Sequence, residues 1–490
     1  MNRNILIKKY FEEHSLVESN IKSFNKFIDV TLQQIIDEIG DIEPTVVPPD
    51  VEEFKIRFDK IWVEKPIFIE ADGSKNPIFP MEARLRKLTY SAPMFLDVKV
   101  YADGALMESF TTQVGKLPIM LKSRYCRLFG LSDEELIKRG EDPRDPGGYF
   151  ILNGNERVLI IVEDLETNKL FIQKTPGTIC SAKLFSQSGI YNIPHQIDQL
   201  KDGIFYITFG RLRKVPILLV IKALGLTNDK EIMELICDEK EYDEIYINLY
   251  NVAEVKSQSE AIEILAKKIG LTQPKEEKIE RTFEQLDKYL LPHIGLTQRE
   301  RILKAYNLCK IIKRILKVSR DGVKEVDKDH YKNKRLKLSG DLLADLLRVN
   351  MRVLVNDILY NFQRLVKRGK FQSVRIIIRD KLLTSRIKTA MATGTWVGGR
   401  VGISQNIDRI NFLSSLSHLQ RVVSQLSSSQ ENFEARALHP THWGRLCPIE
   451  TPEGTPIGLR KNLSMLCQIT QEEPNEEKIK KLLEHYGMEK

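Results

Sequence analysis

Apolar residues recur every three or four positions at Ile21, Phe24, Ile28, Leu32, Ile35 and Ile39, which predicts an amphipathic helix packed on a core by one face. Gly40 and the prolines at 44, 48 and 49 end it. Over 51–114 the period drops to two, in runs such as EFKIRF, IWVEKPIFIE and MFLDVKVYA punctuated by Asp72-Gly73 and Asp103-Gly104. That is the pattern of a half-buried antiparallel sheet. The run DPGGYFILNGNERVLI (145–160) reads as a β-hairpin about an Asn153-Gly154 turn. No Gly-Lys-Ser/Thr follows its glycines at P-loop spacing, so the hairpin is read as structural. Residues 161–300 suggest a separate mixed module, with strands at 205–209 and 217–221 and acidic helical segments over 229–246. The polar stretch 273–280 reads as an exposed loop. Two strongly helical runs follow, RILKAYNLCKIIKRILKV (301–318) and 340–366. The serine-rich interval 414–430 predicts a mobile tip, and the tail after Thr470 an acidic break and one short helix. The fold class expected is α+β, multidomain, with mixed antiparallel sheets and helices.

Length and composition narrow this picture. A chain of 490 residues exceeds what one core supports, so two to four domains are expected. Its 42% hydrophobic and 29% charged content is that of a globular protein, and no apolar run reaches the roughly 18–20 residues that span a bilayer. The start, MNRNILIKKYFEEH, acquires acidic residues too early for a secretory signal. Six dispersed cysteines without a CxxC pair indicate reduced thiols, hence a cytoplasmic protein with no membrane partner and no cysteine-rich zinc site.

Charge is unevenly placed. Residues 301–410 hold 26 Lys and Arg against 9 Asp and Glu, a local charge of +17 within an overall +8, leaving −9 for the remainder. Concentrated positive charge favours a polyanionic partner. Arg84 and Arg86 suit either phosphate or salt bridges, and the Asp327/Asp329 pair, flanked by lysines, reads as an interaction turn more than a magnesium site.

One stretch carries most of the chemistry. Over 435–466, ARALHPTHWGRLCPIETPEGTPIGLRKNLSML, prolines at 440, 448, 452 and 456 and glycines at 444, 454 and 458 deny both helix and continuous strand. A rigid loop with these side chains has three readings. His439, His442 and Cys447 are donors suited to zinc, but lack a fourth partner nearby. Glu450 and Glu453 are a candidate acid/base pair. Alternatively, Arg436, Arg445, Arg460 and Lys461 contact phosphates while the glutamates orient the arginines.

The wording of HPTHWGRLCPIETPEGTPIGL (439–459) resembles the fork signature of the second-largest subunit of multisubunit DNA-directed RNA polymerases. SFNKFIDVTLQQII, ARLRKLTYSAP, LPIMLKSRYCRL, DPGGYFILNGNERVLI, KALGL, LLPHIG, DKDHYKNKRLKLSGDLLADLLR and ATGTWVGGRVGISQ are similar to the same family, in its archaeal and eukaryotic style. The resemblance implies a protrusion (1–145, returning over 319–383), a lobe (146–318), a fork (384–470) and a short tail (471–490). Full subunits of this kind are more than twice as long, so the chain resembles the amino-terminal half of a subunit split between two genes. The implied partners are the carboxy-terminal half, a largest subunit that is whole or itself split, the other polymerase subunits, and DNA template and RNA product. The implied reaction is nucleotidyl transfer by magnesium ions held in the largest subunit; the carboxylate motif of that subunit is absent here, so no catalytic residue, cofactor or metal is expected in this chain. Carried over by motif, Arg436, Arg445, Glu450 and Glu453 would lie near the active centre or downstream DNA. Lys332, Lys334, Arg335, Arg400, Arg421, Arg460 and Lys461 are the candidate phosphate contacts.

Overall fold

The computed structural model describes residues 3–70, 72–174, 178–189, 191–237, 242–271, 274–369, 373–429, 432–470 and 476–487. The chain is an α+β protein that divides into two compact units, Met1–Asp164 with Leu336–Lys490, and Leu165–Arg335.

In the first unit, strands Asp41–Ile42, Phe54–Val63, Ser91–Ala102 and Ala105–Pro118 form an antiparallel sheet in that order. Met94, Leu96, Val98 and Val100 alternate inward on one strand and Phe54, Ile56 and Phe58 on its neighbour, as the period of two requires. The helical spacing near the start gives Glu18–Lys26, a wider π turn at Phe27–Thr31, and Leu32–Asp37, which bury Phe24, Phe27, Ile28, Leu32 and Ile35. The predicted run 340–366 is the 29-residue helix Ser339–Lys367. Its first amides are satisfied from another helix: Ser339 N–H donates to Asn20 Oδ1 at 3.1 Å and Gly340 N–H to Ser23 Oγ at 3.2 Å. Trp396 Nε1–H donates to Leu342 O in the same helix, at 2.8 Å. The 145–160 hairpin forms as read, strands Phe150–Leu152 and Asn155–Leu159 joined through Asn153 and Gly154 at φ +51° and +79°.

The second unit is an antiparallel meander, Leu170–Gln173, Cys180–Ser188, Tyr191–Gln199, Phe205–Phe209 and Leu212–Pro216, with helices around it. The run at 301–318 is the helix Arg301–Ser319. Its Lys304 is fully buried and donates to the carbonyls of Leu286 and Asp287, at 3.2 and 2.7 Å, in the last turn of Lys275–Tyr289. The ammonium thus sits on the negative end of that helix, and burial lowers its pKa to about 8.

Three sequence expectations are corrected. Residues 217–221 are not a strand but the start of helix Ile217–Ala223, buried on every side; a continuous apolar run carries no period to tell the two apart. Lys275–Glu280 is helix rather than loop, because acidic Glu276 and Glu277 suit a first turn and the buried Thr282 and Leu286 come later; Gln273 lies outside the described residues. The serine-rich stretch is ordered over 414–424: Asn411 and Ser414 cap helix Phe412–Leu419, and strand Arg421–Ser424 follows. Buried Ser415 donates its hydroxyl to Asp408 O at 2.6 Å, so here serine is a core residue with an internal partner. Gln430 lies outside the described residues.

His195 gives the second unit a pH dependence. Its Nε2 accepts from Leu291 N–H at 3.1 Å, which puts the ring proton on Nδ1, donated to Ile193 O at 2.9 Å. Burial depresses its pKa from 6.5 to about 4, so the unfolded chain takes up the proton first. The stabilisation is complete above pH 6.5 and is lost as pH falls to about 4, up to ~3 kcal/mol. In urea unfolding, the stability gap between wild type and His195→Gln should therefore shrink from pH 7 to pH 4.5; a constant gap would contradict this.

Candidate nucleic-acid interface

A four-stranded sheet, in the order Lys334–Lys337, Ile161–Leu165, Arg421–Ser424, Arg460–Asn462, organises the candidate residues of the last third of the chain. Arg421–Ser424 runs parallel to Ile161–Leu165 and antiparallel to Arg460–Asn462. Residues directly opposite one another share a face, and successive residues alternate. Lys461 faces Val422, and Glu163 faces Ser424, so both project to one side. There they form a buried ion pair at 3.2 Å, each 6% exposed. Lys461, a candidate phosphate contact by sequence, is thus engaged inside the fold.

The other face carries Arg421 and, opposite Val423 and Arg421, Arg460 and Asn462. Arg421 is half-buried and Arg460 exposed, and neither guanidinium has a hydrogen-bond or ion-pair partner among the described residues. Burial and then the charge of Arg460 lower the Arg421 pKa, while Asp408 and Glu450 oppose the shift. Arg421 and Arg460 thus lie on one face of the paired strands, each with planar donors unused among the described residues. Glu450 is held beside them, accepting from Ser417 Oγ at 2.5 Å and Asn462 Nδ2 at 3.0 Å. His418 is part of the support: Nδ1 accepts from Asp408 N–H at 3.0 Å, leaving Nε2–H for Gln405 Oε1 at 3.1 Å. Burial and then Arg421 hold its pKa near 4, so it stays neutral.

The proline-rich loop is braced from within. Arg436, on the short helix Phe433–Arg436, donates to the carbonyls of Thr455 (2.6 Å), Ile457 (3.0 Å) and Ser428 (2.9 Å). Gly458, at φ +71°, passes so close that a Cβ would lie 2.3 Å from Arg436 O. Thr451 Oγ1 donates to Arg460 O and accepts from Gly458 N–H, both at 2.9 Å, and Cys447 N–H donates to Asn462 O at 2.8 Å. Arg445 is exposed and donates to Thr441 O at 3.2 Å; Glu453 is exposed with no side-chain partner among the described residues. Glu450 and Glu453 therefore have different surroundings, and only Glu450 joins the arginine face. His439 Nδ1 pairs with Thr441 Oγ1 at 2.7 Å, and His442 is buried. Among the described residues no three His, Cys, Asp or Glu side chains converge as a metal site needs.

Much of the basic concentration over 301–410 is internally neutralised. Arg400 pairs with Asp164 at 2.8 Å, Lys337 with Asp345 at 2.8 Å and Asp164 at 3.6 Å, and Arg348 with Glu38 at 3.1 Å. Lys334 pairs with Asp329 at 3.3 Å, Arg335 with Glu166, and Lys332 is exposed. Asp327 Oδ1 accepts the Asp329 amide at 2.8 Å, so this acidic pair builds a turn. Arg84 binds Glu141 and Glu156, both at 2.8 Å, as well as the Tyr149 hydroxyl, while Arg409 binds Glu156 and Asp145 at 2.8 and 3.0 Å. Sequence reading missed the support group Asp408, Ser417, His418 and Asn462, and the ion-pair role of Glu163. Period-two alternation of RVVS and RKN was the available signal for separating Arg421 from its neighbours, but the pairing that gives it meaning joins residues far apart in sequence.

Comparison with known proteins decides the family. Residues 15–385 match the family described as RNA polymerase beta subunit, and 405–469 that described as RNA polymerase Rpb2, domain 3. The chain belongs to the RNA polymerase beta subunit family. It is 43% identical to DNA-directed RNA polymerase subunit Rpo2N of Methanocaldococcus jannaschii, over 99% of this chain and 98% of that protein. It is also similar to subunit Rpo2 of Saccharolobus solfataricus (41%) and Saccharolobus shibatae (40%) over 95% and 99% of its length, but spans only 41% and 43% of those longer proteins. The resemblance read from the 439–459 wording and its companion motifs thus holds across the chain, and the sheet carrying Arg421 and Arg460 falls partly in each matched region of this polymerase family. Among the described residues no helix is long and apolar enough to cross a membrane.

Proposed function

We propose that the chain is the amino-terminal half of a divided second-largest subunit of a DNA-dependent RNA polymerase, working in the cytoplasm in template-directed RNA synthesis. Residues 1–145 with 319–383 would supply the protrusion, 146–318 the lobe and 384–470 the fork, the parts that in such a subunit line the DNA cleft. The partners are the carboxy-terminal half, the largest subunit with its carboxylates and Mg2+, the remaining subunits, and the DNA and RNA strands. The chain alone does not catalyse. The observation that carries this reading is the Arg421–Arg460 face: two guanidiniums on one side of a strand pair, without hydrogen-bond or ion-pair partners among the described residues, on a sheet braced by Glu450, His418 and the Arg436-clamped loop. Such a face offers phosphate contacts and positioning, while Arg445 and Glu453 extend outward from the same loop.

The test is a reconstituted polymerase bound to a DNA–RNA scaffold. Replacing Arg421 or Arg460 by Ala should lower affinity and reduce the slope of log K against log salt by about 1 each. Unchanged slopes in both variants would overturn the phosphate role. The isolated chain, supplied with template, nucleotides and Mg2+, should incorporate nothing; incorporation would refute the assembly-dependent reading.

A further inference from the structure

Arg409 belongs to the basic concentration over 301–410, yet its guanidinium is engaged by the protein itself. Nε donates to Glu156 at 2.8 Å and Nη2 to Asp145 at 3.0 Å, and Cζ stands 4.9 Å from the centre of the Tyr149 ring. The socket is held together independently of Arg409. Glu156 has its other oxygen on Arg84 Nε at 2.8 Å, and Asp145 has its other oxygen on the Gly147 N–H at 2.8 Å. The buried Tyr149 hydroxyl accepts from Arg84 at 2.8 Å and donates to Asp145 at 2.9 Å. With Glu141 also on Arg84, three carboxylates in this cluster share two guanidiniums, and without Arg409 they would share one.

The neighbours of Arg409 in the chain hold a different element. Asp408 N–H donates to His418 Nδ1 at 3.0 Å, and Asp408 O accepts from Ser415 Oγ at 2.6 Å. Asn411 caps the helix Phe412–Leu419 by accepting from Ser414 N–H at 2.8 Å. That helix leads directly into the strand Arg421–Ser424, and its Ser417 O accepts from Asn462 Nδ2 at 2.9 Å, on the strand of Arg460. Ile407 N–H, on the other hand, donates to Glu156 O at 3.0 Å. The segment 407–411 is thus tied to the 145–160 hairpin through Ile407 and Arg409, and to the helix before Arg421 through Asp408 and Asn411.

We propose that Arg409 is a positioning residue of the nucleic-acid face: it latches the 407–411 segment to the 145–160 hairpin and so fixes the helix that sets Arg421 against its phosphate. This rests on the phosphate reading of Arg421 above. Arg409 spends its charge inside the protein, and its effect on nucleic acid passes through Arg421.

The experiment measures Kd for the DNA–RNA scaffold in the reconstituted polymerase, with Arg409→Gln, Arg421→Ala and the two together. Arg409→Gln should raise Kd about 10-fold when Arg421 is present, and less than about twofold when Arg421 is already Ala. Arg409→Lys, which keeps a cation for the two carboxylates, should return Kd to within about threefold of wild type. Amide exchange over 404–420 should quicken in Arg409→Gln while the helix Ser339–Lys367 stays protected. If protection is lost in both, the chain has unfolded; Asp145→Asn, which weakens the latch from the hairpin side, should then show the same dependence on Arg421. Equal losses with and without Arg421 would make Arg409 a phosphate contact of its own and overturn the latch. Wild-type Kd in Arg409→Gln, with binding weakened in Arg421→Ala, overturns the latch and leaves the phosphate reading standing. If Arg421→Ala itself binds like wild type, both fall.

Discussion

Gly340→Ala should destabilise the first unit by about 3 kcal/mol, seen as a lower urea midpoint without a change in slope. Propensity alone predicts the opposite sign, because alanine in a helix is worth up to ~1 kcal/mol over glycine. The tertiary contact reverses it. A Cβ at Gly340 would lie 2.2 Å from Ser23 O and 2.6 Å from Ser23 C, atoms of another helix's backbone that cannot turn aside as a side chain would. The crossing also places Gly340 N–H on Ser23 Oγ, so separating the helices leaves a buried donor unsatisfied. Adding Ser23→Ala removes the hydroxyl but not the clashing carbonyl, and should not rescue. Stability equal to or above wild type for Gly340→Ala would disprove the backbone contact.

Lys461→Met should cost ~3–5 kcal/mol, because it removes one partner of a buried ion pair and leaves the desolvated Glu163 carboxylate without that cation. Glu163→Gln alone should cost a similar amount by removing the other partner of the pair. The double variant should recover most of the loss, since both desolvated charges are gone, and the cycle gives a coupling well above that of a surface pair. Additive single losses would mean that the two residues do not act as a pair. The same substitutions separate the two faces of the sheet. With Arg421 and Arg460 intact, the double variant should keep its nucleic-acid salt slope in the assembled enzyme.

The amphipathic rod over 18–37, the antiparallel sheet of the first unit, the 145–160 hairpin and the helices Arg301–Ser319 and Ser339–Lys367 were all readable, because each announces itself through a local period or a turn pair. The run at 217–223 was not, since burial on all sides erases the period that distinguishes helix from strand. The internal roles of Ser415 and Ser417 were not legible either, since the acceptors of their hydroxyls, Asp408 O and Glu450, come within reach only in the fold.

Family and loop chemistry were in the sequence by itself: the 435–466 wording, its prolines and its charged side chains specify a rigid polymerase-type segment without reference to coordinates. The division of labour among its cations was decided only by the tertiary structure. Arg460 and Lys461 are adjacent in sequence and alike in charge, yet one is exposed beside Arg421 and the other buried against Glu163. The physical reason is strand alternation: neighbours point to opposite faces, and which face is wet depends on strands contributed from residues near 161 and 421.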